Sequence, residues 1–218
     1  MTSDVVAAKV ATDDRNLEVS EAPAWIAIVF FVSGFAALVY QVVWQRALFA
    51  IFGINTEAVT VVVTVFLLGL GVGSIVGGLF SRVVRHPLLL FAISEFGIAG
   101  FGLVSLDLFK RVGSNAFDLS PVATAITTFL LLLAPTLLMG MTLPLLVVYL
   151  VRQSGNVGRS MSLLYFVNTA GSGLASLAAV FLLMPRLGEH GSVRVAAFAN
   201  FAVGVVVLAQ HLRRRDEP

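Results

Sequence analysis

The chain has no cysteine, which excludes disulfides and thiolate metal sites. Charged residues make up only 12% of its 218 residues, and no polar stretch is long enough to form a water-soluble domain of useful size. The net charge of +2 comes from Lys and Arg spread singly along the chain, which argues against a nucleic-acid surface. Three separated histidines provide no metal-ligand spacing, so we expect no metal site: His86, His190 and His211. The glycines lie inside apolar stretches rather than between a strand and a helix, where a nucleotide-binding turn needs them, and we expect no cofactor and no catalytic residue.

Apolar residues are abundant, at 58% of the chain, and the mean hydropathy is +0.97. A soluble fold of this composition would have more apolar surface than one core could bury. Five or six apolar stretches are each long enough to cross a bilayer. We therefore predict an all-α integral membrane protein, a bundle of six transmembrane helices. The predicted spans cover residues 25–44, 56–80, 87–109, 120–151, 161–184 and 193–212.

The ends of the chain are polar. Residues 1–22 lack an apolar core, so they do not resemble a signal peptide and are predicted to be a disordered cytosolic tail. Residues 23–212 form the predicted membrane domain, and 213–218 a basic cytosolic end. With the N-terminus inside, nine Lys and Arg lie at the inner helix ends and five at the outer ends. This asymmetry predicts a protein of the bacterial cytoplasmic membrane with both termini in the cytosol.

Aromatic residues and prolines mark features of single spans. Trp25 and Trp44 bracket the first span at a separation close to the hydrocarbon thickness, so we expect each ring at one membrane interface. The fourth span exceeds the bilayer thickness, which predicts tilt, a kink or a break, with Pro135 and Pro144 as the break points. The fifth span is predicted to end before Pro185.

Small residues recur every four positions in two of the spans. Gly69, Gly73 and Gly77 lie on one face of the second span, and Gly171 and Ala175 share a face of the fifth. Membrane helices approach closely through such faces. The spacing fits either a three-plus-three repeat in inverted topology, as in many transporters, or generic packing surfaces.

Four separated motifs resemble one family in the right order. They are SGFAALVYQVVWQR at 33–46, LGLGVGS at 68–74, PTLLMGMTLP at 135–144 and LYFVNTAG at 164–171. Together they resemble the membrane half of the fused spermidine synthase-like proteins of bacteria, which is itself similar to half of a major-facilitator transporter. In that family a soluble aminopropyltransferase-like domain follows, and this chain lacks it. One departure is Ser81, which stands where the family tends to carry an acidic residue.

Glu95 is the sharpest candidate for a functional residue. It lies about 12 Å into the third span, where an ionised carboxylate is costly unless it is paired or hydrated. Ser33 and Asn168 start from the same side and reach a similar depth, so the three could form one polar layer. The alternative is structural: Glu95 and Asn168 each form a hydrogen bond to a neighbouring helix without contacting a ligand.

A second group of candidates lies towards the outer side. Gln41 and Arg46 follow Tyr40 near the end of the first span, and Glu57 begins the second. They could form the mouth of a site for an amine or an anion, with Arg46 and Glu57 as an ion pair. The alternative is that these side chains simply extend to the interface.

Three functions remain open from the sequence. The leading hypothesis, which depends on the resemblance, is a non-catalytic membrane module that partners a separately encoded soluble enzyme or a second copy of itself. Its rival is a small transporter for polyamines or other organic cations, with Glu95 as the cation-binding group. The third is a fragment of a longer gene with no independent role.

Overall fold

The computed structural model describes residues 23–52, 56–115 and 121–216, and every regular element in these ranges is helical. The prediction of an all-α fold is confirmed. The predicted tail 1–22 and the last two residues lie outside the described ranges. Six α-helices and one short π-helical segment, Ala179–Leu183, follow one another in the chain. The helices are α1 (Ala24–Phe52), α2 (Thr56–Val83), α3 (Pro87–Asn115), α4 (Pro121–Ser154), α5 (Val157–Ala178) and α6 (Met184–Asp216).

Within the described ranges, five helical stretches are long and apolar enough to cross a membrane. Four of them correspond to α1 to α4. The fifth runs from Val157 to Arg213, because the π-helical segment joins α5 to α6. Its 57 residues would extend about 85 Å if they were straight, nearly three times the hydrocarbon thickness of a bilayer.

The helical path in this long stretch breaks at Gly188. This residue has φ 65° and ψ −172°, a backbone conformation that favours glycine because it has no Cβ. The prediction that the helix ends before Pro185 is therefore wrong, since the helix continues through Leu187, although the break at Gly188 lies within the predicted connection between the fifth and sixth spans. The π-helical turn directly before Met184 explains the difference, because such local widening accommodates a proline that lacks its N–H.

Contacts with neighbouring helices show that α5 and α6 run in opposite directions. Asn168 of α5 contacts Phe30 of α1, and Ser172, one turn later, contacts Gly34, so α5 runs parallel to α1. The helices α1 and α3 also run parallel. In contrast, α6 runs antiparallel to α3, because it passes Lys110 near its start and His86 near its end. The chain therefore reverses direction between α5 and the later part of α6.

Trp44 lies in the core of the bundle. It is fully buried, its ring stacks on Tyr40 with centroids 4.8 Å apart, and its indole N–H donates a 2.9 Å hydrogen bond to Ser105 of α3. The prediction that Trp44 marks a membrane interface is therefore wrong. Ser105 satisfies the polar end of the ring inside the protein, so the indole does not need the headgroup region. Trp25, the other predicted marker, is half-buried against Tyr149.

The fourth helix continues through both of its internal prolines. Pro135 and Pro144 lie inside α4, so neither breaks it. Directly after Pro135, the Thr136 hydroxyl donates to the backbone oxygens of Leu132 and Leu133, at 2.9 Å and 3.0 Å. Side-chain hydroxyls and neighbouring helices commonly satisfy the backbone groups that a proline leaves unpaired in membrane helices. The carbonyl that Pro135 leaves without its helical donor is that of Leu131, so the Thr136 bonds support the adjoining turn rather than replace the missing bond, and the predicted break is absent.

The helices α2 and α4 approach closely through glycines from both. A Cβ on Gly73 would overlap the backbone oxygen of Leu137, and a Cβ on Gly140 would overlap that of Leu70. Leu137 is three residues before Gly140, and Leu70 is three residues before Gly73, so the contact is reciprocal. We name this arrangement the α2–α4 glycine contact. Two further glycines of α2 face α4 at Thr136 and Met141: Gly69 and Gly77.

The helices α1 and α5 meet in the same way. A Cβ on Gly171 would overlap the backbone oxygen of Phe31, and a Cβ on Gly34 would overlap that of Asn168. Again each glycine faces the carbonyl three residues before the other one, and we name this the α1–α5 glycine contact. One turn after Gly171, Ala175 is fully buried in the core.

Candidate functional site

Glu95 lies at the centre of the bundle and is fully buried. The hydroxyl of Ser33, on α1, donates a 2.6 Å hydrogen bond to one carboxyl oxygen. The side-chain amide of Asn200, on α6, donates a 2.5 Å hydrogen bond to the other. Among the described residues, no Lys or Arg lies within ion-pair distance of this carboxyl. Glu95 is therefore held by two neutral donors from two other helices.

A cavity of about 300 Å³ lies beside this cluster. Ser33 and Asn200 line it, whereas Glu95 is not among the lining residues, so its two partners stand between the carboxyl and the cavity. All six helices contribute to the lining. Its polar members are Ser33, Gln41, Ser74, Thr142, Asn168, Ser172 and Asn200.

Asn200 is the site residue that the sequence analysis missed. Its side chain is 1% exposed, and its amide carbonyl oxygen has no hydrogen-bond partner among the described residues. A buried acceptor without a partner is costly, and a ligand N–H or a water in the cavity would satisfy it. The signal was present in the sequence, because Asn200 is an uncharged polar residue in the middle of the predicted sixth span.

The structure brings together some of the candidates named from the sequence. Ser33 and Glu95 are hydrogen-bonded, and Asn168 lines the same cavity as Ser33. Asn168 is half-buried, and its side-chain amide donates a weak 3.4 Å hydrogen bond to the backbone oxygen of Phe30. Gln41 lies further along α1 and also lines the cavity.

Arg46 belongs to a different surface. Its guanidinium pairs with Glu189 at 3.3 Å, and the two side chains are 68% and 37% exposed. Both line a groove of about 920 Å³ beside the π-helical segment and Gly188. Glu57 begins α2, but its side chain lies outside the described ones, so its pairing with Arg46 stays a prediction. Gln41 lines the central cavity, whereas Arg46 lines this outer groove.

The central cavity reaches the surface of the bundle between α2 and α5. Two of its lining residues are exposed, Leu70 of α2 at 39% and Tyr165 of α5 at 65%. Their exposure places them at the rim. A molecule entering from the side would therefore pass between α2 and α5 before reaching Ser33 and Asn200.

The described residues contain no group of three or more His, Asp or Glu side chains that could hold a metal ion. Glu95 is the only carboxylate near the cavity among them, and its two partners are a hydroxyl and an amide. The groups that surround this carboxyl therefore suit hydrogen bonding to a ligand and electrostatic attraction of a cation.

Comparison with known proteins gives one significant relationship to a curated protein. A polyamine aminopropyltransferase of Oceanobacillus iheyensis is 24% identical to this chain over 194 residues. The match covers 83% of this chain and 35% of the relative, so the chain spans about a third of the length of the protein it matches. No family model and no solved structure matches. The similarity agrees with a spermidine synthase-like relationship.

Proposed function

We propose that this chain is a non-catalytic membrane module of the spermidine synthase-like type, which serves a soluble aminopropyltransferase-like enzyme carried on a separate polypeptide. The observation that carries the proposal is the match itself. Most of this all-helical, apolar chain aligns with about a third of a protein named for aminopropyl transfer. The transfer chemistry then belongs to the part of the relative that has no counterpart in this chain.

The module crosses the membrane six times in this proposal. The support is the reversal of the chain after Gly188, which divides the longest apolar stretch into two antiparallel helices. One end of the bundle, here named the arginine-rich end, lies in the cytosol. The cations at the described helix ends there are Arg82, Arg85, Arg152, Arg159 and Arg213.

An inverted three-plus-three repeat organises the six helices. The α2–α4 and α1–α5 glycine contacts share one geometry, so an approximate two-fold axis that exchanges α1 with α4 and α2 with α5 maps one contact onto the other. Exchanged helices run in opposite directions. Leu138 lies beside Gly97, and Arg152 lies beside Arg85, so α4 is antiparallel to α3. Because α3 is parallel to α1, α4 is also antiparallel to α1. Inverted repeats of this kind are common in transporter folds.

A second copy or another membrane subunit covers the rim between α2 and α5. Polar groups inside the cavity would otherwise face lipid through this opening, which is unfavourable in hydrocarbon. Both rim helices also carry glycines at which an added Cβ would meet nothing within 4 Å among the described residues, and these could admit a close partner helix: Gly71, Gly78 and Gly173.

The direct test is gentle extraction from the native membrane, followed by mass spectrometry of the intact complexes. We expect a soluble polypeptide with an aminopropyltransferase-like sequence in stoichiometric amount. An unrelated membrane protein of similar size, extracted in parallel, serves as the control. Recovery of only lipid and copies of this chain, under conditions that retain other complexes of the same membrane, would contradict the membrane-subunit proposal.

The cavity also favours a second candidate function, the transport of polyamines or other organic cations. An ammonium group in the cavity could donate to the amide oxygen of Asn200 while Glu95, one layer behind, supplies negative charge. In liposomes containing the purified protein, Glu95→Gln should abolish spermidine uptake, whereas Asp107→Asn, on the exposed side of the same helix, should not. Equal uptake by wild type and Glu95→Gln would reject this candidate.

A further inference from the structure

A second cavity lies at the arginine-rich end, away from the central site. It measures about 230 Å³, roughly the volume of seven or eight water molecules. It lies where the end of α2, the start of α3 and the ends of α4 and α6 meet. Its lining contains four basic side chains and no carboxylate among the described residues: Arg85, His86, Arg152 and His211.

Two of these side chains contact other parts of the protein, although Arg152 is itself exposed. Arg152 reaches from α4 to the end of α2, where its guanidinium donates to the backbone oxygens of Ser81, Val84 and Arg85, each at 3.4 Å. Three of its five N–H donors are used in this way. His211 of α6 is 8% exposed and packs edge-on against the ring of His86, with centroids 5.0 Å apart.

The two other basic side chains are exposed and available to a ligand. Arg85 and His86 lie in the short connection between α2 and α3. Directly after them, the N-terminus of α3 at Pro87 adds the positive end of a helix dipole to the same cavity. The cavity therefore combines exposed donors, the Arg152 guanidinium and a helix terminus, all favouring negative charge. The remaining polar lining residue, Gln153, is uncharged.

The surroundings of the cavity are those of a membrane interface. Leu88 and the ring of Tyr149 form its apolar wall. Exposed apolar side chains adjoin it in sequence, Val83 at 79% exposure before Arg85 and Leu212 at 51% after His211. A ligand with a phosphate group and an acyl chain would satisfy both parts, since basic pockets between helix ends are typical sites for anionic headgroups.

We infer that this cavity binds the phosphate group of an anionic phospholipid, with Arg85 and His86 as its exposed ligands and Arg152 as a further cation. This site is independent of the central cavity and of the proposed partner enzyme. The acyl chains lie along the exposed apolar flank of α2 and α6. Anionic lipids are enriched in the cytoplasmic leaflet, which the arginine-rich end would face in the predicted orientation.

The test uses native mass spectrometry of the full chain in detergent, titrated with phosphatidylglycerol or with phosphatidylcholine. We expect one site that prefers phosphatidylglycerol. The double variant Arg85→Gln, His86→Gln should bind phosphatidylglycerol at least about tenfold more weakly, because it loses charge-assisted hydrogen bonds. The matched control is Arg82→Gln, which removes a cation from the same end of α2 but outside the cavity lining.

A second arm identifies the source of the phosphate. If millimolar inorganic phosphate displaces the lipid, the cavity binds phosphate groups from soluble ligands as well as from lipids. No preference for phosphatidylglycerol, or equal weakening by the double variant and by Arg82→Gln, would overturn the inference. The variants should keep the melting temperature of the wild type, because the replaced side chains are exposed, so loss of binding through unfolding is recognised directly.

Discussion

Ser33 of α1 and Glu95 of α3 are joined by a 2.6 Å hydrogen bond inside the bundle, where both side chains are shielded from solvent. Asn200 of α6 binds the second oxygen of the same carboxyl. One side chain thus connects three helices that are distant in sequence. In an apolar environment each of these polar groups would be costly without its partner, so the cluster fixes how the three helices are rotated relative to one another.

Two replacements of Glu95 should distinguish the loss of its hydrogen-bond acceptor atoms from the loss of its charge. Glu95→Leu leaves the Ser33 hydroxyl and the Asn200 amide without an acceptor, and we expect a loss of about 1–3 kcal/mol for each. Glu95→Gln keeps an acceptor for Asn200 and should lose less. Thermal unfolding in detergent measures the difference, with the exposed Asp107→Asn as a neutral control. Equal stability of the Leu and Gln variants would contradict this assignment.

The glycine contacts predict matched pairs of variants. Gly73→Ala should destabilise the protein by about 1–3 kcal/mol, because the new methyl overlaps the Leu137 carbonyl. Gly71→Ala, on the open face of the same helix, should be nearly neutral. In the proposed repeat, Gly171→Ala and Gly173→Ala should give the same contrast in α5. The measurement is the free energy of unfolding of all four variants under one condition. A large loss of stability in Gly71→Ala or Gly173→Ala would contradict the position of these glycines on open helix faces.

The two tryptophans should report different environments. In Trp25→Phe the remaining indole, Trp44, is buried and hydrogen-bonded to Ser105, so brominated lipids should quench it poorly. In Trp44→Phe the remaining Trp25 is half-buried and should be quenched more strongly. Fluorescence of the two variants in the same liposomes compares them directly. Strong quenching of Trp44 would place this ring at the lipid surface and contradict its core position.

The helical regions were predictable from the sequence because long apolar runs have one stable backbone solution in a bilayer. The predicted second span, 56–80, and the helix Thr56–Val83 show the agreement. It was less predictable which face of each helix packs inside the bundle and which faces lipid, since lipid and protein interior are equally apolar. Trp44 was assigned to an interface from its separation from Trp25 along the helix, which does not show that a serine on α3 satisfies its N–H inside the bundle.

The candidate site was only partly predictable. Glu95 was identified because a carboxyl inside an apolar span is rare and costly. Ser33, its partner, was placed at a similar depth by simple counting along the helices. Asn200 was missed although it lies within the predicted sixth span, because the sequence does not show which face of that helix meets Glu95.

The membrane topology tests the account most directly, because both proposed functions depend on six crossings with the arginine-rich end in the cytosol. The natural chain has no cysteine, so single cysteines can be introduced at exposed positions without background. A membrane-impermeant thiol reagent applied to spheroplasts should label Lys110→Cys and His190→Cys. It should leave Arg82→Cys and Arg159→Cys unlabelled until the membrane is permeabilised. Labelling of Arg82→Cys and Lys110→Cys from the same side, or protection of His190→Cys, would contradict the account.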